Sequence, residues 1–338
     1  MLSDVDFIKY TTDSIGIDDH HLEDLHSVKA IPFPLPLPVV TSGVSTGPLE
    51  NLPIELLHLV FDSLDLESIA ALLKVSRLIR GVILSLPAFA TIARHAPHVW
   101  QATTGIQARR WIDLHTLYDK LYTSRCEVCG DIGSYLYLLT CTRVCFLCFS
   151  QDARFLPLDY CTVARATGFQ RKSVLNLPSC RTVPGVYSPN EIKQARRRFL
   201  ADFLAVTRAI EDHRVQGQDS GTFTTGRRAS RHSQRAIISS DTDEITPIPL
   251  TPLRDGKSGK ALRFAAVVRL CSMDQLDCPI MSPRYCMACS YGTGNSDRQL
   301  SFRRKYSKDT FEQHTLDCGS LRYNDRVGRW YHEANPDR

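Results

Sequence analysis

The sequence predicts a mainly α fold: an N-terminal unit of three short helices, then small α+β modules built on paired cysteines, with a disordered tether between the modules. Three observations predict it. Apolar residues recur at spacings of three and four from Pro53 to about Ser85. C-x-x-C pairs stand at Cys126/Cys129, Cys145/Cys148 and Cys286/Cys289. The stretch from Gln216 to about Lys260 is rich in Ser, Thr, Gly and Pro with almost no apolar period, so it cannot bury enough surface to offset its ordering entropy. The expected layout is a flexible acidic, Pro-rich arm (1–48), the helical unit (49–90), a cysteine-rich module (91–187), a capped amphipathic helix (188–215), the tether (216–260) and a second cysteine module (261–338).

Composition narrows the function classes. The 338 residues are 43% hydrophobic and 23% charged, the balance of a globular chain rather than a fibrous or wholly disordered one. A net charge of +5 is too mild to compel a nucleic-acid or membrane partner. No window of about 18 uncharged apolar residues exists, since the best stretch carries Lys74, Arg77 and Arg80. The acid-rich N-terminus lacks the basic and apolar regions of a secretion signal, so the expected compartment is the reducing cytoplasm, the nucleus or both. There, 12 cysteines argue for metal rather than disulfides.

In the arm, alternating prolines at Pro32, Pro34, Pro36 and Pro38 favour an extended spacer. The helical unit follows. Pro53 suits a helix start, Glu55 lies near the positive end of the dipole, and Leu56, Leu57, Val60, Phe61 and Leu64 recur on helical spacing. Asp65 offers a cap for a second helix carrying Ile69, Leu72 and Leu73. Ser76 caps a third with Leu78, Ile79 and Val82, which Pro87 ends. A unit of about 40 residues is marginal alone, and this much apolar surface needs a partner.

The run L-P-x-E-L-L-x-x-V-F-x-x-L at Leu52–Leu64, followed by V-S-R-x-x-R at Val75–Arg80, resembles the F-box. That resemblance implies docking onto a Skp-type adaptor, which joins the chain to a cullin and a RING subunit in an SCF ubiquitin ligase. It places Leu52, Pro53, Leu56, Leu57, Val60 and Phe61 against the adaptor. Ile79 departs from the pattern, standing where many F-boxes carry an aromatic residue.

In the first cysteine module, Cys126/Cys129 and Cys145/Cys148 are separated by 15 residues, a spacing that suits a four-thiolate zinc site. Gly130 permits the tight turn of a knuckle. Cys141 and Cys161 are read as packing residues. In the next segment Ser188, Pro189 and Glu191 have the pattern of a capped helix start, leaving Arg196–Arg198 on its polar face. Near the C-terminus Cys286 and Cys289 are paired, while Asp309, Glu312 and Gly319 bracket a short helix over 310–318 that puts His314 and Cys318 one turn apart. These four form a Cys-Cys-His-Cys constellation resembling a zinc finger, with 24 residues between Cys289 and His314; His332, Cys271 and Cys278 are reserve ligands. Two structural zinc ions are expected.

C-E-V-C-G, Y-L-L-T-C, V-C-F-L-C-F, P-G-V-Y-S and the terminal H-x-x-x-C-G together resemble F-box proteins of filamentous fungi with a cysteine-rich body, over about residues 49–215 and 280–332. The expectation is a non-catalytic substrate receptor that binds an unknown protein substrate and serves ubiquitin-dependent degradation. A RING ligase is disfavoured because no closing C-x-x-C follows Cys148 nearby, and no phosphate loop or H-E-x-x-H occurs. The alternative is a zinc-finger nucleic-acid binder or another interaction scaffold, motivated by Arg196–Arg198 and Arg303–Lys305.

Overall fold

The computed structural model describes residues 3–17, 19–33, 49, 52–167, 171–188, 192–218, 261–274, 282–290 and 301–333. The segment expected as a flexible arm is folded over 3–17 and 19–33. Helix α1 (Asp4–Tyr10) is capped by Ser3 and leads into strand β1 (Thr11–Thr12); a 3-10 turn (Leu22–Asp24) and α2 (His26–Lys29) follow. Phe7, Leu22 and Val28 are buried, and Glu23 accepts from the Arg269 backbone at 2.9 Å and its Nε at 2.8 Å. These partners lie more than 240 residues away, which is why no local pattern announced them. The Pro-rich run from Pro34 lies outside the described residues.

The helical trio forms as its caps dictate: α3 (Ile54–Asp62), α4 (Leu66–Leu72) and α5 (Arg77–Ser85). Asp65 accepts from the Glu67 and Ser68 N–H groups at 2.9 Å, and Ser76 accepts from Ile79 at 3.1 Å. The trio is not left to itself. Helices α6 (Pro87–His95), α7 (Pro97–Gly105) and α8 (Leu114–Tyr122) continue it, Leu66 N–H donates to the Ile112 carbonyl, and Leu114 N–H donates back to Leu64, both at 2.9 Å. One apolar core runs from Leu57 and Phe61 through Trp100 and Leu117 to Leu136 and Phe149 of the cysteine module. The packing is thus continuous across residue 90.

The first cysteine module comprises β2 (Tyr135–Tyr137), β3 (Thr142–Val144) and α9 (Phe146–Gln151). Beyond it come β4 (Leu158–Asp159), α10 (Tyr160–Thr167), α11 (Arg171–Leu175), β5 (Ser179–Arg181), β6 (Gly185–Tyr187), β7 (Ile192–Gln194), β8 (Phe199–Ala201) and α12 (Phe203–Gln218). The capped helix expected over 188–215 thus starts fifteen residues late. Ser188 is occupied elsewhere, its Oγ accepting from His20 N–H at 2.8 Å. Phe199–Ala201 instead sit between β4 and β5 as a central strand, and Asp202 caps α12 by accepting from Ala205 N–H at 2.9 Å. Residues 219–260, most of the expected tether, lie outside the described set.

The chain then returns to the first module. β9 (Val267–Arg269) pairs antiparallel with β2, giving the sheet order β3-β2-β9. Residues 261–270 therefore complete the first module rather than opening the second. Buried Arg143 locks this arrangement, donating to the carbonyls of Gly133 (2.7 Å), Lys120 (2.6 Å) and Leu270 (2.7 Å). The second module holds β10 (Arg284–Cys286), α13 (Met287–Ser290), β11 (Lys305–Tyr306), α14 (Lys308–Cys318), β12 (Leu321–Asn324) and β13 (Arg329–His332). Its sheet is completed by β1, in the order β1-β10-β11, and its small core joins Phe7 to Tyr306 and Phe311. The first residues of the chain are thus structural parts of its last module. Among the described residues no single helix is long and apolar enough to cross a membrane; α5 and α6 pass such a test only as a pair bent by 76°.

Candidate functional site

Helix α3 is apolar nearly all round, and the fold divides its surface. Leu57 and Phe61, at 3% and 1% exposure, point into the shared core. Leu56, Leu59 and Val60, at 47%, 71% and 45%, face outward, with Leu52, Pro53 and Ile54 exposed beside them. Val75 and Leu78 are also exposed, and α5 lies against α3, where His58 Nε2 and Ser85 Oγ are 3.1 Å apart. Four of the six positions expected to meet a partner, Leu52, Pro53, Leu56 and Val60, are on this outer face. Leu57 and Phe61 are not, because the chain's own helices already enclose them. Ile54, Leu59, Val75 and Leu78 were missed; the signal was present in the all-round apolarity of α3, which leaves a second face once one is buried.

The first cysteine set converges as its spacing indicates. Cys126, Cys129, Cys145 and Cys148 bring four sulfurs within 4.8 Å of one another. Gly130, at φ +77, turns the knuckle so that its N–H donates to the Cys126 carbonyl at 2.9 Å. Cys145 caps α9, accepting from Cys148 N–H at 3.4 Å, and its sulfur lies 3.6 Å from that of Cys129. A hydrogen bond from Cys145, opposed by burial, pulls the Cys126 thiol down to about 4, while burial pushes Cys148 up to about 12 and raises Cys129. Cys141 is buried and its thiol is pushed up to about 12 by burial, as expected of a packing residue; Cys161 is exposed, contrary to that reading.

The second set differs from expectation in one ligand. Cys286, Cys289, His314 and His332 converge within 4.8 Å, and Cys318 is not in the group. Cys318 stands at the end of α14, which runs from Lys308 with Ser307 and Thr310 forming the capping box, and Gly319 at φ +101 ends it. The hairpin β12–β13 turns at Gly328 (φ +67) and pairs Leu321 with His332, which carries His332 back over the site. His332 Nδ1 lies 2.8 Å from the Gly319 carbonyl, an N–H donor bond that turns Nε2 toward the cysteine sulfurs. Nε2 is 3.3 Å from Cys286 Sγ and 3.4 Å from Cys289 Sγ, and His314 Nε2 is 3.5 Å from Cys289 Sγ. The His314 ring stacks on Tyr306 at 4.3 Å. Hydrogen bonds from Cys289, His314 and His332 bring the Cys286 thiol down to about 3 against the burial that opposes them. Of the reserve ligands, Cys271 is exposed away from the group and Cys278 lies outside the described residues.

The separations given above agree with a tetrahedral ion. Metal–sulfur bonds of about 2.3 Å and metal–nitrogen bonds of about 2.0–2.1 Å set ligand-to-ligand edges of roughly 3.8 Å for two sulfurs and roughly 3.6 Å for sulfur and nitrogen. The separations of 3.3–3.6 Å lie at those edges or slightly inside them. Each set could hold one metal ion and, with four protein ligands, leaves no open position for a reactive water.

Four of the six side chains in the two basic runs are tied into the chain. Arg303 pairs with Asp19, Arg304 with Asp131 at 3.1 Å, and Arg198 approaches Asp159 at 3.9 Å. Arg197 donates to the Gly105 carbonyl at 3.5 Å.

Compared with known families, residues 49–90 match the F-box domain. F-box domains generally bind Skp-type adaptors, and proteins that carry them generally act as non-catalytic substrate receptors in SCF ligases. No curated protein and no solved structure matches the chain.

Proposed function

We propose that the chain is a substrate-receptor subunit of an SCF-type cullin-RING ubiquitin ligase, acting in the cytoplasm, the nucleus or both. The single observation that carries the reading is the outward apolar face of α3 and α5, present on a segment that matches the F-box after its inner face has been covered by the rest of the chain. Helix-in-groove recognition uses apolar anchors at such spacings. The adaptor would cover Leu52, Pro53, Ile54, Leu56, Leu59, Val60, Val75 and Leu78, and the metal-stabilised remainder would present a protein substrate to be marked for degradation. The ions are zinc, two per chain, and their role is to hold folds too small to stand on burial alone. Catalysis belongs to other subunits; this chain raises the effective concentration of a substrate lysine near the charged conjugating enzyme.

Affinity purification of the full chain from its own cells tests the reading, with Leu59→Asp as the control. A Skp-type adaptor and a cullin should copurify with the unaltered chain and vanish from the variant. Identical partner sets for the two would refute it.

A further inference from the structure

One short strap, residues 303–306, touches both metal sites. At its start Arg304 pairs with Asp131 at 3.1 Å, and the Asp131 carbonyl accepts the Cys126 N–H at 2.6 Å, so the contact falls on the first knuckle. Arg303, at 7% exposure, lies over the Phe146 ring at 4.3 Å, and Phe146 follows Cys145 directly. At the other end the Tyr306 ring stacks on the His314 imidazole at 4.3 Å. Lys305 and Tyr306 form β11, which pairs with β10, and β10 ends on Cys286. Both sites thus lean on one run of chain no longer than about 14 Å.

The seam along the strap is closely packed. Bounded by Cys145, Phe146, Tyr285, Arg303 and Arg304, its cavity is about 10 Å³, room for one water at most. A parallel tie runs through the N-terminal segment, which places Phe7 in the second core and Leu22 in the first and pairs Asp19 with Arg303. The second core is small, built on Phe7, Cys286, Ala288, Tyr306 and Phe311, and a unit of that size folds with its metal. Without that ion the strap loses the geometry that sets Arg303 and Arg304 on the first knuckle. Without the knuckle, Asp131 and Phe146 offer them no fixed seat. Each ion therefore favours the same docked arrangement, and linkage makes the advantage reciprocal.

We propose that the two sites bind their metal ions with positive coupling, carried by Arg303 and Arg304 as positioning residues. The proposal rests on the two-ion reading above and is independent of the ligase assignment. The second site, on the smaller core, gives up its ion first, so the coupling shows in how firmly that ion is held. Zinc is withdrawn from the full chain by graded chelator, with metal content by mass spectrometry and amide exchange over 308–332 reading the second site. Cys126→Ser/Cys129→Ser, which removes the first site, should move release from the second to a chelator concentration about fivefold lower, or lower still. Arg303→Gln/Arg304→Gln, which keeps all eight ligands, should do the same, and Arg303→Lys/Arg304→Lys should restore part of the loss. All four changes of the serine and glutamine variants together should cost no more than either pair alone, because both pairs remove one interaction.

Effects that multiply in the combined variant would overturn the proposal. So would release from the second site at an unchanged chelator concentration in Cys126→Ser/Cys129→Ser. Should a variant fail to fold, the unaltered chain decides: at a chelator concentration that leaves one ion, exchange over 126–131 and 145–148 must rise, and unchanged exchange there refutes the coupling. Fewer than two ions in the unaltered chain would remove the metal reading and the coupling with it, whereas two ions released independently would remove the coupling alone.

Discussion

Replacing His332 by alanine is expected to abolish metal binding at the second candidate site, whereas replacing Cys318 by serine is not. His332 Nε2 touches two sulfurs of the set at 3.3 and 3.4 Å, and its loss leaves three ligands and unties the β12–β13 hairpin from the site. The magnitude is large because the module has little else. Its buried aromatic residues, Phe7, Tyr306 and Phe311, contribute about 1.5–3 kcal/mol each at most. A structural zinc contributes on the order of 10 kcal/mol, which equals or exceeds that whole aromatic core. Metal content by mass spectrometry after a chelator wash should fall from about two ions per chain to about one in His332→Ala and stay near two in Cys318→Ser. Amide exchange over 284–289 and 308–332 should rise in the first variant alone. His332→Cys, which restores a soft ligand, should recover much of the metal. The opposite pattern, with Cys318→Ser losing an ion and His332→Ala retaining it, would refute the ligand assignment.

Other expectations follow from the packing. Leu57→Ala should lower stability by about 2–5 kcal/mol in thermal or urea unfolding, because a core leucine is truncated, while Leu59→Asp on the outer face should leave the midpoint nearly unchanged. Equal midpoints for Leu57→Ala and the unaltered chain would contradict the division of α3. Phe7→Ala should weaken metal retention at the second site and spare the first, since Phe7 packs on Phe311 with ring centres 5.6 Å apart; a titration with a coloured chelator that releases both ions at the same concentrations as before would count against that role for Phe7. Arg143→Met strips donors from three carbonyls, each worth about 1–3 kcal/mol when left buried and unpaired, so fast exchange should spread through β2, β3 and β9, and unaltered protection there would show that those bonds are dispensable.

What the sequence disclosed was what neighbouring residues decide. Asp65 and Ser76 cap the helices they were expected to cap, and Cys126, Cys129, Cys145 and Cys148 converge because their spacing closes two knuckles on one point. The facing of α3 was only half legible: six apolar residues spread round one short helix indicate two faces, and only the tertiary contacts of Leu57 and Phe61 show which is inner. His332 was held in reserve behind Cys318 because helical spacing made Cys318 attractive, while the hairpin that returns His332 is a longer-range event signalled only by the turn at Asn324–Gly328. Long-range pairing also overruled helix signals at Ser188, whose hydroxyl is taken by His20, and turned Phe199–Ala201 into a strand. The same cause hid the N-terminal segment, whose Phe7 and Leu22 have partners near the other end of the chain or deep in the middle.

The outward face of α3 and α5 as an adaptor surface is tested most directly by amide hydrogen exchange on the metal-loaded chain with and without a purified Skp-type adaptor. The account predicts a stable complex in which protection rises over residues 52–60 and 75–84, with α14 and the β12–β13 hairpin unchanged. Failure to form the complex, or protection confined to other segments while 52–60 exchange as before, would contradict it.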